Sequence, residues 1–352
     1  MNTISSKCQN CGSELWYSPK EGCLKCKYCE TNYFLPRKSD DAVMVRQYSA
    51  AFHPNQLNQS LDAYKCGGCG NKYYMSSEEK TKRCPNCGNN HCEKVEDNGY
   101  CADAILPFKI SKDDAAKAFA KYLKTQHDFP MGLKKHAANQ KLMGVFVPVW
   151  NFSYSVSGTY SANSGDIRKG YDGSYYNITK PVFGEKTKRV PSLDKLACSK
   201  EDKILLDLFD ENDYQDLIPY FPEYTYGFRV DAIDRDIHDF YYNFTEDAVD
   251  DMKKELRKYA LKRHKDVSDL TVEADINDVF FNFAYVPVYV NTFDYRGKTY
   301  KTYISGTTGK VLGRTPKSFA SFLWKFVKFL GVAAVIALIC YYCLEKLKVE
   351  LN

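Results

Sequence analysis

Residues 8–29 read CQNCGSELWYSPKEGCLKCKYC, and residues 66–87 read CGGCGNKYYMSSEEKTKRCPNC. Each stretch holds two Cys-x-x-Cys pairs separated by fourteen residues, and the second stretch begins 58 positions after the first. Zn²⁺ prefers four thiolates in a tetrahedron, and a Cys-x-x-Cys turn presents two of them. The sequence therefore predicts two zinc ribbons that bind two Zn²⁺ per chain. The predicted ligands are Cys8, Cys11, Cys26, Cys29, Cys66, Cys69, Cys84 and Cys87.

Other roles for cysteines near these sites stay open. Disulfide pairing would need an oxidising compartment, and no secretory signal is recognisable at the start of the sequence. Cys23 lies three residues before Cys26 and competes with it as a ligand, although the intervening segment fits a ribbon hairpin better. His91 and Cys92 follow the second site, and we expect them not to bind the metal. The sequence alone does not decide whether these three residues contribute.

The charge balance argues against a nucleic-acid partner. The formal net charge is +5. Each four-thiolate zinc site carries a net charge of about −2, so two sites lower the total to about +1. Residues 1–101 hold thirteen Lys or Arg and eleven Asp or Glu, and with both metals bound their net charge becomes about −2. A nucleic-acid module usually has a clearly basic face.

Two similar runs of strand and helix signals follow residue 101. In the first, the run ILPFKI (105–110) predicts a strand, and Ser111 is a candidate N-cap because Asp114 follows three residues later. Apolar residues then recur on one face of a helix, and the run VFVPVW (145–150) leads into an alternating strand pattern. The apolar helix residues are Ala115, Phe119, Tyr122 and Leu123.

The second run repeats this order. A strand over 226–233 precedes a helix between residues 234 and 263, and the run AYVPVY (284–289) echoes VFVPVW. Turns are expected at Arg296-Gly297 and Thr308-Gly309. The predicted apolar face of the helix consists of Val249, Met252, Leu256 and Tyr259. We interpret the two runs as related α+β units, each with a helix packed on an antiparallel sheet.

The last part of the chain differs in composition. Residues 319–344 read FASFLWKFVKFLGVAAVIALICYYCL, with sixteen uncharged residues from 329 to 344. This pattern predicts a transmembrane helix, with Trp324 and two tyrosines at its ends. More Lys and Arg precede the segment than follow it, which predicts a single-pass, tail-anchored membrane protein with its bulk in the cytoplasm.

The predicted fold class is therefore multidomain, with two small β zinc ribbons, a duplicated α+β body and one C-terminal transmembrane helix. The predicted segments are ribbon 1 (1–34), a spacer (35–64), ribbon 2 (65–101), the first α+β unit (102–200), the second unit (201–318), the transmembrane helix (319–344) and a short tail (345–352).

No catalytic constellation is recognisable in the sequence. Residues 306–310 read GTTGK, but their spacing is wrong for a phosphate-binding loop, and Val311 stands where Mg²⁺ binding would need Ser or Thr. We interpret this segment as a hairpin turn. Four-cysteine sites are closed and leave no coordination position for a substrate. The sequence thus predicts a protein that is not an enzyme and has no small-molecule substrate.

The chain resembles a family of bacterial proteins with a ribbon of the transcription-factor-IIB type, a second ribbon, an α+β body and often a C-terminal membrane span. The segments that carry the resemblance are CQNCGSELWYSP, LKCKYC, KRCPNCG, ILPFKISKDDA, MGVFVPVW, PYFPEYTYGF and YRGKTYKTYISGTTGKVLGRTP. Members are often labelled as primosomal or replication-restart helicases or as replication proteins, although no helicase motif is present here. Some relatives are encoded beside flotillin-like (SPFH) or phage-shock-type proteins. The resemblance implies a membrane-surface adaptor that recruits such a partner, with the metal held by the eight cysteines named above.

Two functions follow as hypotheses. The first is a scaffold that presents its ribbons on the cytoplasmic face of a bilayer, anchored by residues 319–344, to a protein partner. The alternative is a membrane-tethered nucleic-acid-binding protein linked to replication. For that alternative, the candidate contacts are Lys80, Lys82 and Arg83, which lie together in ribbon 2.

Overall fold

The computed structural model describes residues 7–35, 43–50, 52, 61–68, 70, 72–76, 89–96, 102–126, 129–130, 142–316, 331–332 and 335. The strands of its N-terminal part are β1 (Leu15–Ser18), β2 (Cys23–Cys26), β3 (Asn32–Tyr33), β4 (Arg46–Gln47), β5 (Leu61–Cys66), β6 (Lys72–Ser76) and β7 (Cys92–Lys94). These strands cover ribbon 1, the described parts of ribbon 2 and a short piece of the spacer.

The body that follows is built from long strands and two principal helices. Its strands are β8 (Ala104–Ile105), β9 (Met143–Lys169), β10 (Tyr175–Leu196), β11 (Ile218–Pro219), β12 (Arg229–Asp231), β13 (Val267–Tyr295), β14 (Lys298–Ser305) and β15 (Val311–Gly313). The helices are α1 (Lys112–Thr125), the short α2 (Glu211–Tyr214) and α3 (His238–Arg263), and 3₁₀ helices span Lys203–Leu208 and Pro222–Thr225.

The centre of the body is the antiparallel pair formed by β9 and β13. Val147 lies opposite Val286, so the VFVPVW and AYVPVY motifs pair directly with each other. Because strand side chains alternate between faces, one face of this pair carries small aliphatic residues and the other carries aromatic ones. The buried aliphatic set is Val145, Val147, Val149, Ala284, Val286 and Val288. The buried aromatic set is Phe146, Trp150, Phe152, Phe281, Phe283, Tyr285 and Tyr289.

The two predicted α+β units share one sheet rather than having a sheet each. Strand β8 precedes α1 in the chain but runs parallel to β13, with Ala104 opposite Ala284. Strand β12 precedes α3 but runs parallel to β9, with Arg229 opposite Val145. Each unit therefore places its short first strand against the long strand of the other unit. Local sequence patterns identify the strands but not their partners, which is why separate sheets were expected.

Ribbon 2 also joins this sheet. Strands β5, β6 and β7 pair with one another, and β6 pairs antiparallel with β12. Among the described residues, β1, β2 and β3 form a separate three-stranded sheet, and the other twelve strands form one sheet. The described part of the chain is thus mostly β-sheet, which corrects the predicted fold class with its body of two separate helix-on-sheet units.

The helix predictions agree with the structure except for part of one face. The Asp114 N–H donates to the Ser111 side chain at 3.3 Å, which confirms the predicted N-cap of α1. Helix α3 buries Met252 and Leu256 as predicted. Its other buried residues are Phe244 and Ala260, whereas the predicted Tyr259 remains 37% exposed.

Both predicted turns are present. Arg296 and Gly297 adopt φ values of 50° and 71° and connect β13 to β14 in a two-residue turn. The GTTGK segment connects β14 to β15, and the Gly309 N–H donates to the Ser305 carbonyl at 3.0 Å. The predicted hairpin turn is therefore confirmed.

Residues 46–48 of the spacer lie against the central sheet. Strand β4 pairs with β13, and the Tyr48 N–H donates to the Val279 carbonyl at 2.8 Å. The Tyr48 ring stacks on Tyr241 with centroids 3.4 Å apart, and its hydroxyl lies 2.7 Å from Nδ1 of His238. Burial raises the pKa of Tyr48 to about 12. These contacts fix the chain between the two ribbons to the central sheet.

A buried ionic cluster fixes β12. Nη2 of Arg229 lies 2.9 Å from Oε1 of Glu201 and 2.7 Å from Oδ2 of Asp231. The other carboxylate oxygen of Glu201 lies 2.9 Å from Nζ of Lys301 and accepts from the Tyr303 hydroxyl at 3.0 Å. Arg229 belongs to β12, Lys301 and Tyr303 belong to β14, and Glu201 lies in the segment that follows β10. The cluster therefore connects these three parts of the chain, and each buried charge has a partner of opposite charge.

The predicted transmembrane helix requires a correction. In the part of the chain that the structure describes, no helix has both the length and the apolar character needed to cross a bilayer. Of residues 319–344, only Gly331, Val332 and Val335 are described, and the others lie outside the described residues. The uncharged run is also shorter than the roughly 20 residues that a bilayer core requires. The transmembrane helix, the tail anchor and the single-pass membrane localisation are therefore not supported.

Helix α3 approaches the sheet at Gly158 on β9. A Cβ atom at this position would lie 2.6 Å from the Glu273 carbonyl oxygen, 2.7 Å from Cδ1 of Leu256 and 3.0 Å from Cβ of Ala274. Glycine at this position lets the helix pack directly on the backbone of the strand.

We expect Gly158→Ala to lower the free energy of unfolding by about 1–3 kcal/mol, because the added methyl group overpacks this contact. Urea denaturation of the full chain measures the change. The matched control is Ser155→Ala on the helix-free face of the same strand, with an expected effect within about 0.5 kcal/mol. Equal effects of the two substitutions would contradict the packing argument.

Candidate metal centre

Ribbon 1 is a small antiparallel sheet that brings two cysteine turns to one end. In the β1–β2 hairpin, Leu15 pairs with Cys26 and Ser18 pairs with Cys23. The Gly22 N–H donates to the Ser18 carbonyl at 2.8 Å, which closes the connecting turn. The first Cys-x-x-Cys turn precedes β1 and the second follows β2, so the hairpin places the two turns side by side.

The four thiols of ribbon 1 form a compact group. The sulfurs of Cys8 and Cys29 are 3.5 Å apart, and those of Cys11 and Cys26 are 3.4 Å apart. All four sulfurs lie within 4.8 Å of one another. A tetrahedral zinc site with bonds of about 2.3 Å would place its sulfurs about 3.8 Å apart. This arrangement could hold a metal ion.

Backbone N–H groups support the sulfurs. The N–H of Tyr28 donates to Sγ of Cys26 at 3.4 Å, and that of Cys29 donates to the same sulfur at 3.5 Å. The Gly12 N–H donates to the Cys8 carbonyl at 2.8 Å, and Gly12 has a φ of 72°. The corresponding position of the second turn is Glu30, with a φ of 58°, which shows that glycine is not required there.

Two further side chains favour thiolates, and the sequence patterns did not identify them. The hydroxyl and N–H of Thr31 hydrogen-bond to Cys29 and lower its pKa to about 6. The Tyr33 hydroxyl lies 3.2 Å from Sγ of Cys8 and lowers the pKa of that cysteine. The Ser13 N–H acts to lower the pKa of Cys11, but burial and the three neighbouring thiols raise it. Because metals bind thiolates, these hydrogen bonds prepare part of the site for a cation.

Cys23 and Cys198 are buried thiols that lie apart from the group of four. The Cys23 thiol donates to Oε2 of Glu21 at 3.7 Å and is not part of the group of four sulfurs. Burial and the nearby carboxylates of Asp231 and Glu201 raise the pKa of Cys198. Among the described residues, neither thiol belongs to a group of side chains that could share a metal ion, and burial with a raised pKa makes Cys198 a poor nucleophile.

The described part of ribbon 2 contains one cysteine turn of similar geometry. The Gly70 N–H donates to the Cys66 carbonyl at 2.8 Å, with a φ of 68° for Gly70, and the Gly68 N–H donates to Sγ of Cys66 at 3.3 Å. Cys69, Cys84 and Cys87 lie outside the described residues, as do the alternative nucleic-acid contacts Lys80, Lys82 and Arg83. Their predicted roles remain predictions.

The two residues after the second site have contacts of their own. Cys92 lies opposite Cys66 across β5 and β7, and its thiol donates to the Asn89 carbonyl at 3.5 Å. The His91 ring lies 3.6 Å from the Glu93 carboxylate.

Ribbon 1 is seated on the body through β1. The Tyr17 N–H donates to the Tyr226 carbonyl at 2.9 Å, and the rings of Tyr17 and Tyr224 lie 5.0 Å apart. Gly227 has a φ of 86°, and a Cβ there would lie 3.0 Å from Cβ of Trp16, so this position needs glycine. The ribbon therefore has a fixed face toward the body and an opposite face that remains exposed.

The chain is similar over most of its length to a protein of Bacillus subtilis (strain 168). It is 25% identical over 331 residues to the uncharacterized protein YdjG, and the alignment covers 90% of this chain and 91% of that protein. No family model and no solved structure matches the chain. The similarity extends over most of both chains, but it assigns no activity.

We expect Cys26→Ser to lower the bound metal by one equivalent per chain, because a neutral hydroxyl replaces one of four thiolates. Elemental analysis of the purified full chain measures the metal content. The matched control is Cys23→Ser, which should leave the metal content unchanged because Cys23 faces Glu21. Loss of the metal in the control, together with retention in Cys26→Ser, would contradict the ligand assignment.

Proposed function

We propose that the chain is a non-enzymatic adaptor that binds two structural Zn²⁺ ions and uses ribbon 1 to dock a partner protein. The observation that carries this proposal is the cluster of four cysteine thiols in ribbon 1. The ribbon is packed against the body, and exposed aromatic side chains lie beside the cluster.

The donor set favours zinc. Four cysteine thiols at tetrahedral spacing are typical of structural Zn²⁺, whereas Ca²⁺ and Mg²⁺ prefer oxygen ligands. In ribbon 2, the turn at Cys66 has the same N–H···O bond and the same positive φ as the turn at Cys8. This likeness supports a second zinc site that includes the predicted Cys69, Cys84 and Cys87.

Binding of a protein is supported by the exposed face of ribbon 1. Tyr28 lies in the second cysteine turn and is 82% exposed, and Phe34 follows β3 and is 79% exposed. Large aromatic side chains are enriched at the centres of protein interfaces. Because Tyr17 and Trp16 already occupy the face toward the body, these two residues lie where a partner has access.

The chemistry of the site supports binding rather than catalysis. A zinc ion with four thiolate ligands has no open position for a substrate or an activated water molecule. Within the part of the chain that the structure describes, the ribbon 1 group is the only set of three or more metal-ligating side chains close enough to hold an ion. Its expected role is to stabilise a docking surface.

We expect the purified full chain to contain about two equivalents of zinc per chain, because each four-cysteine set closes its own site. Elemental analysis measures both the identity and the number of the metals. The variant Cys66→Ser should retain about one equivalent, the ion in ribbon 1. A chain with one equivalent that is unaffected by Cys66→Ser would contradict a second site.

We expect Tyr28→Ala combined with Phe34→Ala to abolish capture of the partner, because truncation removes the exposed aromatic surface while the thiols remain. The measurement is cross-linking and affinity capture with quantitative mass spectrometry. By the resemblance noted above, flotillin-like and phage-shock-type proteins are the first partners to test. The matched control is Tyr171→Ala, which removes an exposed aromatic ring from the β9–β10 turn instead.

The same samples test the nucleic-acid alternative. Non-specific DNA binding depends on phosphate neutralisation and weakens steeply with salt. A metallated N-terminal region of net charge about −2 should bind DNA no more tightly than roughly 10⁻⁴ M at physiological salt. Two results together would overturn the adaptor proposal. The first is micromolar, salt-sensitive binding to duplex or single-stranded DNA, and the second is protein capture that is unchanged when Tyr28 and Phe34 are replaced.

A further inference from the structure

The outer edge of β10 is an open strand edge. Strand β10 pairs with β9 from Leu196 to Tyr175, and it pairs with no other strand among the described residues. An exposed strand edge presents unpaired N–H and C=O groups that can template another strand. This surface shares no residue with ribbon 1, so the inference below goes beyond the proposed function.

Hydrogen bonds at the start of the pair show which backbone groups point outward. The Ala197 N–H donates to the Pro148 carbonyl at 3.0 Å, so even-numbered residues of β9 direct their backbone groups toward β10. Gly165 is odd-numbered, and its N–H donates toward the other neighbour, at Asp266. The register of the pair shifts between Val190 and Leu193 of β10. From Val190 to Tyr175, even residues of β10 pair with even residues of β9, as Gly184 does with Tyr160. The outward N–H and C=O groups therefore belong to the odd residues Phe183, Glu185, Thr187 and Arg189.

Two prolines limit this open segment. Pro181 is an odd residue of the strand, so its missing N–H falls on the outer side and leaves the pairing with β9 intact. Pro191 lies within the register shift between Val190 and Leu193. Prolines and bulges are common devices against edge-to-edge association. Between them, residues 182–190 form a regular edge without proline or bulge, whose charged side chains oppose pairing with a like-charged strand.

The charges along this segment favour an acidic strand as its occupant. Lys186 pairs with Glu255 of α3 at 2.5 Å. Lys186 and Lys188 both help to lower the pKa of Glu255, whereas Arg189 forms no ion pair with any residue that the structure describes. Glu185 is the single acid of the segment. Antiparallel pairing with a second copy would place the cations of two chains together, which is unfavourable. Phe183 is 72% exposed beside this edge and offers an apolar contact as well.

We infer that the edge of β10 between Pro181 and Pro191 binds an extended acidic segment of a partner protein as an added β-strand. Main-chain hydrogen bonds to the odd residues would supply the affinity in this mode of recognition. Arg189 would select an acidic side chain, and Phe183, which lies on the same face of the strand, would accept an apolar one.

The test uses the full chain and fluorescence anisotropy of three labelled peptides. The first alternates Glu and Val, the second alternates Lys and Val, and the third is the Glu peptide with proline at its central position. We expect the unchanged chain to bind the first peptide and to bind the other two at least about tenfold more weakly, a difference of about 1.4 kcal/mol. Comparable binding of all three peptides would overturn the proposal.

Two variants locate the site. Thr187→Pro removes one outward N–H without affecting the pairing with β9, as Pro181 already does, and should weaken binding of the acidic peptide about tenfold. Arg189→Glu should weaken it as well, and its effect should shrink at high salt. The matched charge control is Arg257→Glu on the exposed side of α3, which should bind as the unchanged chain does.

The outcomes separate the possible occupants of the edge. No binding of the acidic peptide by the unchanged chain, or equal binding by Arg189→Glu and Arg257→Glu, would overturn the proposal even if Thr187→Pro failed to fold. Sedimentation of the unchanged chain provides a second measurement. Self-association that Arg189→Glu abolishes would identify a second copy as the occupant and would overturn the acidic-strand assignment.

Discussion

The structure depends on the antiparallel pairing of β9 with β13. This pair buries both of its faces at the centre, so its side chains must fill two layers at once, with valines on one side and aromatic rings on the other. Helices cover the aromatic layer, and the segment after β10 covers the aliphatic layer. The spacer strand β4 and the short strands β8 and β12 pair directly with this pair, and ribbon 2 joins it through β12. The placement of ribbon 2 is therefore a consequence of strand pairing in the body, whereas ribbon 1 keeps a separate sheet.

Local features of the fold could be predicted from the sequence, and long-range ones could not. The N-cap at Ser111 and the two-residue turn at Arg296 depend on neighbours within a few residues, so their sequence signals were sufficient. The placement of β8 against β13 depends on residues far along the chain, and no local pattern records it. The contacts of Tyr48 could not be predicted for a similar reason, because its partners Tyr241 and His238 belong to a distant helix. Hydropathy in the C-terminal segment indicated a membrane span that no helix in the described chain supports.

The candidate site shows the same division between local and distant features. Cysteine spacing was enough to predict the group of four thiols in ribbon 1, because the spacing sets where a hairpin returns. The roles of Thr31 and Tyr33 could not be read from the spacing, since each depends on how a side chain turns toward one sulfur. The hydrogen bond that holds ribbon 1 to Tyr226 could not be predicted either, because it joins segments about two hundred residues apart. The four cysteines of ribbon 1 are thus coupled to the body by contacts that sequence patterns do not show.

The exchange of short strands has a consequence for synthesis on the ribosome. Strand β12 is made after its partner β9 and can pair with it as soon as it emerges. Strand β8 is made 180 residues before Ala284, the partner of Ala104. At typical elongation rates of about 5–20 residues per second, β8 waits roughly 10 to 40 s for β13 to appear. The hairpin of ribbon 1 pairs residues that are near one another in the chain and can form early in this interval, whereas the first half of the body stays incomplete until the second half has left the ribosome. Nascent chains would therefore expose the apolar residues of β9 to chaperones until β13 emerges to cover them.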